Sequence, residues 1–411
     1  MRSGERVKSE SPFSGWDDGD VRARSIGTSN RRPGDRSIRS LMAGYWSFGQ
    51  FWGVWVIVVF EFQEYHGISD AQIGIGYTFM AAVALAVMLL VAPRLRTMAL
   101  STTVPLALGS MAVATASLVL LPTGAIWIGF ALAGAGNGLI DVYLNVAGQR
   151  VESASHRPVL QWMHATYALG SVTGALIAGA LLSLGFDFRV ALAYVAAAQA
   201  IGALWTGATV QRDRSAAGDG SLLSISALFR SPALVVPAIV VLASFLIEGS
   251  MDAWAGLYLR DELGASARVA SIVFVAFAGS IFLGRVFAGR LLFGAGRRTT
   301  IVVAGVGSLI GGTIAVVANQ PWVVAVGFLV LGFTLSAAGP AAFGIAGEVT
   351  DDPTGAITAV TTVGYTGFVW SPPLLGWVAQ SVSLRAAMGV IIIATLGIIG
   401  GGLAAPRDRE P

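Results

Sequence analysis

Cysteine is absent from this 411-residue chain, and lysine occurs once, at Lys8. Without cysteine there is no disulfide, thiolate nucleophile or thiolate-bound metal. With Lys8 alone in the N-terminal stretch, no GxxxxGK[ST] phosphate loop exists, which excludes an ATP-driven pump within the chain. His66, His156 and His164 lie far apart, and none stands in an HExxH spacing. No serine, metal or paired-carboxylate constellation of an enzyme is recognisable, so we expect neither catalysis nor a metal or cofactor. Charge is scarce as well: Asp, Glu, Lys and Arg make up 12% of the residues, against roughly 25% in soluble domains. Nine of the 26 basic and six of the 23 acidic residues are confined to residues 1–40. A water-soluble fold of this size could not cover itself with so little polar surface.

What is present is apolar. Fifty-five per cent of the residues are hydrophobic, and they gather into twelve stretches, approximately 41–61, 72–92, 98–120, 124–148, 161–184, 190–209, 233–257, 269–289, 299–318, 322–346, 355–380 and 386–405. Each is long enough for a hydrocarbon core of ~30 Å at ~1.5 Å per residue. Spans 10 and 11 are the least regular, with Gly339-Pro340 and Pro372-Pro373 inside them. Of the 26 basic residues, 22 fall in the tail and on one set of loops, leaving Arg189, Arg260, Arg268 and Arg385 for the other. The positive-inside rule puts the first set in the cytoplasm, with both termini. The small net charge of +3 therefore reports topology rather than nucleic acid. The expected surroundings are the lipid bilayer of the inner membrane, with the chain a monomer.

Residues 1–40, rich in Arg, Ser, Gly and Asp, lack an apolar signal core and read as a disordered cytoplasmic tail. Residues 41–209 and 233–405 each hold six spans, joined by a polar cytoplasmic linker at 210–232 and followed by a short C-terminus at 406–411. Sliding the chain by 197 residues places Ser47 on Ser244, Phe48 on Phe245, Gly67 on Gly264, Ser69 on Ser266, Gly170 on Gly367 and Gly179 on Gly376. The constant offset points to duplication. The expected fold is an all-α membrane protein, with twelve transmembrane helices in two pseudo-symmetric six-helix bundles.

Two segments carry a more specific likeness. One runs Gly136-Asn-Gly-Leu-Ile-Asp-Val-Tyr-Leu-Asn-Val-Ala-Gly-Gln-Arg-Val-Glu152, followed by His164; the other runs Glu248-Gly-Ser-Met-Asp-Ala-Trp-Ala-Gly-Leu-Tyr-Leu-Arg260, followed by Gly284-Arg285. On these the chain resembles the major facilitator superfamily, in a bacterial branch distantly like the proton-coupled fucose permease. The resemblance implies a proton-coupled secondary transporter, with Arg94, Arg285 and Arg290 at the gate signatures. Those signatures lack their usual acids: Val91-Ala-Pro-Arg-Leu-Arg96 has none, and Gly289 stands where an Asp is expected. The Gly-Pro antiporter signature is absent from Gly170–Leu184.

A charge at the bilayer centre costs at least ~2.5–3.5 kcal/mol, so each one needs a reason. Asn137, Asp141, Asn145 and Gln149 recur every four residues and form one stripe on span 4. Such a stripe faces water or paired polar groups. His164, at the start of span 5, is placed to pair with Asp141 and exchange a proton, or to serve as a structural hydrogen-bonder. On span 7, Ser244, Glu248 and Asp252 repeat the spacing, with Asp252 expected near the external mouth. Gln50 and Glu61 share a face of span 1, Glu61 as a solvated helix end. Trp52, Trp254, Tyr365 and Trp370 lie too deep for the interfacial belt and are candidates to stack on a ligand, although lipid-facing packing is the default for any one of them. The expected function is proton-coupled symport of a small organic solute. Asp141, His164 and Glu248 would carry the proton, and Gln50, Trp52, Asn137, Asn145, Asp252, Trp254, Tyr365 and Trp370 would bind the solute. Efflux by proton antiport and a transporter-shaped sensor are the alternatives.

Overall fold

The computed structural model describes residues 35–95, 97–155, 157, 159–210, 231–292, 295–350 and 352–406. Twelve helical spans follow in order: α1 Asp35–His66, α2 Asp70–Ala86, α3 Leu100–Leu120, α4 Ile126–Ser155, α5 Val159–Ser183, α6 Phe188–Thr209, α7 Val235–Leu257, α8 Ala267–Leu292, α9 Arg297–Val317, α10 Pro321–Leu335, α11 Pro353–Ser381 and α12 Leu384–Ala404. A π turn, Val87–Val91, and Ala92–Leu95 prolong α2; a second π turn, Tyr258–Glu262, prolongs α7. Eleven of the spans are long and apolar enough to cross a bilayer. The twelfth, α11, has the length at 29 residues, but threonines interrupt its apolar run. Thr361 and Thr362 return their hydroxyls to the carbonyls of Ile357 and Thr358, which keeps them compatible with a span.

The first helix starts earlier than the composition suggests. Residues 35–40, read with the tail, are its opening turns. There Ser37 Oγ donates to the Thr209 carbonyl at 2.6 Å, Thr209 Oγ1 donates to Ser40 Oγ at 2.7 Å, and Arg157 pairs with Asp35 at 2.9 Å. The rest of the tail and most of the linker lie outside the described residues. Of the two irregular spans, one breaks beside its proline and the other does not. After Leu335, α10 breaks and resumes as Ala338–Glu348, because Pro340 has no N–H for the Ser336 carbonyl. By contrast, α11 continues through Pro372-Pro373, and Ser371 Oγ reaches the Phe368 carbonyl that Pro372 leaves unserved, at 3.5 Å.

The duplication is visible in three dimensions. Gly67 and Gly264 both turn the chain with positive φ, 62° and 61°, and Ser69 and Ser266 each accept a backbone N–H three residues on. Gly179 of α5 lies against Ser271 and the Ala267 carbonyl of α8; Gly376 of α11 lies against Gly74 and the Asp70 carbonyl of α2. Each residue of the first set stands 197 positions from its counterpart, which defines a pseudo-two-fold axis between α1–α6 and α7–α12. The main contacts between the halves are α1 with α7 and α8, α2 with α11, and α5 with α8. Their close approaches lie toward the helix ends remote from Asp35 and Ala404, and α4 and α10 take no main part in them. The halves thus meet at one end, and a cleft opens between them toward the face that holds the termini.

Candidate functional site

The closed end of the cleft is a roof of buried side chains. Gly256 of α7 sits on the Val56 backbone of α1 so closely that an added Cβ would fall 2.7 Å from the carbonyl carbon. Beside it, the buried Tyr77 hydroxyl accepts from Trp55 Nε1 at 2.8 Å and donates to the Ala253 carbonyl of the other half at 3.0 Å. Trp254 packs edge-on against Tyr77, with ring centroids 6.2 Å apart, and donates Nε1 to the Pro372 carbonyl at 3.2 Å. Farther out, Glu61 and Arg260 form an ion pair across the seam, their side chains only 21% and 13% exposed. The Arg260 guanidinium also lies 4.7 Å from the Phe60 ring centroid. Pairing and the ring's negative face offset the cost of removing these charges from water.

Below the roof, both halves present polar groups to the cleft. Asn137, Asp141 and Asn145 are half-buried along one stripe of α4, and Gln149 is exposed nearer its end. Asn137 Nδ2 donates to Asp141 Oδ2 at 3.2 Å, and Asn145 Nδ2 donates to the Asp141 backbone carbonyl at 2.7 Å. Gly134 and Gly138 hold this helix against the Met80 and Ala84 carbonyls of α2. On the adjoining wall, Tyr45 meets His164 edge-on at 5.3 Å and Tyr167 packs on Phe48 at 5.5 Å. The Tyr45 hydroxyl is buried and faces Asn145, Asp141 and Tyr365.

The other half supplies Glu248 and Asp252 from α7, Arg285 from α8 and Tyr365 from α11. Arg285 Nη2 lies 3.5 Å from Glu248 Oε2. Asp252 has no hydrogen-bond or ion-pair partner among the described residues. Tyr167 lies within the fields of Asp252, Asp141, Glu248 and Arg285, Tyr365 within that of Asp141, and His164 within that of Arg285. Titratable groups from both halves therefore share one low-dielectric space. A polar solute between them would find carboxylates, amides, phenols and a guanidinium on the surfaces of two separate bundles.

Comparison with known proteins follows from this arrangement. An uncharacterised MFS-type (major facilitator superfamily) transporter of Yersinia pestis is 30% identical over 292 residues, covering 71% of this chain and 75% of the relative. The chain belongs to the major facilitator superfamily. The uncharacterised transporter y4wD of Sinorhizobium fredii is 28% identical over 289 residues, 68% of this chain and 74% of that one. The membrane protein MosC of Rhizobium meliloti is 24% identical over 406 residues, 94% of each chain. Among solved structures, the nucleoside transporter NupG superposes with a TM-score of 0.73 at 13% identity, covering 92% of this chain and all of that one. A bacterial homologue of the human lysosomal transporter Spinster, inward-facing and unoccupied, gives 0.73 at 13% identity over 94% and 99%. These two share the fold. No protein-family model matches the chain.

In this major facilitator the structure gathers some of the expected site residues and disperses others. Asn137, Asp141, Asn145, His164, Glu248, Asp252 and Tyr365 converge on the cleft, with Trp52 half-buried beside Phe51. His164 does not pair with Asp141: its ring meets Tyr45, and Asn137 takes the carboxylate. Asp252 is not at the mouth, because α7 runs on to Glu262, about 15 Å farther at the helical rise. Gln50 is buried in the α1–α5 seam, donating to Thr173 Oγ1 at 2.8 Å, and Trp254 belongs to the roof. Trp370 is 65% exposed on the outward face that it shares with Trp377. Arg285 leaves the loop face and turns to Glu248 inside the cleft. Arg94 donates to the Leu90 carbonyl on its own exposed turn, and the Arg290 side chain lies outside the described residues. The sequence reading missed Tyr45, Tyr77 and Tyr167, and it took Glu61 for a solvated end. Arg260, one of only four basic residues assigned to that face, was the available sign of a partner for Glu61.

Proposed function

We propose that this protein is a proton-coupled symporter of a small polar organic solute, working by alternating access in the inner membrane as a monomer with both termini in the cytoplasm. The observation that carries the reading is the placement of Asp141 on one half and Glu248 and Asp252 on the other, around one cleft beneath a sealed roof. Acids at that depth need a task that outweighs their desolvation, and binding a proton on one side of the membrane and releasing it on the other is such a task. Asn137, Asn145, Tyr365 and Trp52 supply the amides, hydroxyl and ring that orient a solute. The roof closes one entrance while the other is open, and solute bound to both halves favours the rocking motion that exchanges the two. The excess of arginine on the open face supports a cytoplasmic orientation of that face.

Proteoliposomes test the reading, with solutes drawn from a thermal-shift screen of sugars, nucleosides, amino acids and organic acids. Solute uptake should be accompanied by alkalinisation of the side from which it enters, and Asp141→Asn should diminish the proton movement. Proton-coupled uptake undiminished in that variant would sink the assignment of Asp141; solute binding without any flux would favour a sensor.

A further inference from the structure

The geometry points to Arg285 as the anchor for a carboxylate on the solute, an inference that rests on the proton-coupled reading and names the substrate class. A guanidinium carries five N–H donors in a planar fork. None of those on Arg285 makes a hydrogen bond to a described residue; its partner is Glu248, at 3.5 Å, beyond the ~2.7–2.9 Å of a formed charge-assisted bond. The side chain is 46% exposed, in a cleft that it shares with His164, Tyr167 and Asp252. Glu248 therefore balances the charge of Arg285 and leaves its fork unused. The group that fits a planar fork is a planar two-oxygen acceptor, a carboxylate. A phosphate would bring a second negative charge beside Glu248 and Asp252.

Among the described residues no second arginine or lysine pairs with Glu248. Asp252 shares its helix and Tyr167 approaches from α5, with His164 beside Arg285; Glu348, after the break in α10, is paired with Arg297. When the solute carboxylate takes Arg285, Glu248 loses its counter-charge and binds one proton from the solution that the cleft then faces. On release, the O–H bond breaks, the proton enters the opposite solution with the solute, and Glu248 returns to Arg285. For a solute whose only charge is its carboxylate, empty and occupied clefts then carry the same net charge, so the chain rocks in either state without moving charge through the membrane.

Titration calorimetry on the purified full chain would test this with lactate, gluconate, glucuronate and proline, each against its carboxamide. At least one acid should bind about tenfold or more tightly than its amide. Arg285→Gln should erase that difference, Arg285→Lys should retain part of it, and Glu248→Gln should keep the binding while losing the proton uptake seen in buffer-dependent heats. Thermal melting of each variant separates lost binding from lost fold. If no acid in the panel binds, if acid and amide bind alike, or if the preference survives Arg285→Gln, the inference is overturned. Acid binding through Arg285 with no proton movement in liposomes would instead overturn the symport reading. Proton-coupled uptake of a neutral solute that ignores Arg285→Gln would do the reverse.

Discussion

The Tyr77 hydroxyl accepts one hydrogen bond and donates another, so a single oxygen ties α1, α2 and α7 across the seam between the halves. Tyr77→Phe removes both bonds, and should weaken the closed roof by about 1–2 kcal/mol, a roughly 5–30-fold change in the ratio of closed to open molecules. The change should appear as faster labelling of Asn137→Cys by an impermeant maleimide supplied from the roof side. The absence of native cysteine leaves that assay without background, and an unaltered rate would remove Tyr77 from the lock. Glu61 and Arg260 are expected to act as a unit. Arg260→Gln strands a carboxylate in a largely buried position, whereas Glu61→Gln combined with Arg260→Gln leaves two neutral amides. A double-mutant cycle on the same labelling rate should give a coupling above about 1 kcal/mol; additive effects would make the pair incidental.

Helix-to-helix contacts at the seam and within each half are built from the same glycine device, but they should respond differently to a methyl group. Gly256→Ala places its Cβ on the Val56 carbonyl across the seam, where backbone cannot give way. It should splay the roof and raise roof-side labelling by several-fold while leaving thermal stability nearly intact, because each half keeps its own packing. Gly134→Ala meets the Met80 carbonyl inside one half, and should cost that half about 1–3 kcal/mol, read as a lower melting temperature. The spans themselves were legible because a hydrocarbon core demands a run of apolar residues wherever a helix crosses it. The partners of those helices were less so. Gly134 and Gly332 make the same contact, on the Met80 and Phe277 carbonyls, yet they stand one residue off the 197-residue offset that aligns Gly179 with Gly376. A fixed slide along the sequence passes over them. The Arg285 fork was hidden for another reason: a side chain near a helix end reads as part of a loop until the direction of its long stem is seen.

The whole molecule is two helical bundles touching along a narrow seam, and the pseudo-two-fold axis makes the seam's two flanks equivalent. Gly179→Val and Gly376→Val occupy related positions against α8 and α2, and should therefore open the roof to a similar degree; strongly unequal labelling would show that one flank carries the closure alone. Symmetry stops at the cleft. Glu248, Asp252 and Arg285 stand 197 residues from Phe51, Trp55 and Met88, and Phe51 and Trp55 stack with ring centroids 6.1 Å apart in the first bundle. An ion-bearing patch in one repeat thus corresponds to an oily one in its twin. On the proposed reading, the parts that let the chain rock and the parts that choose its cargo occupy different residues, so selection can alter either without disturbing the other. A descendant of this chain could acquire a new diet by exchanging a few side chains on α7 and α8 while inheriting its gait unchanged.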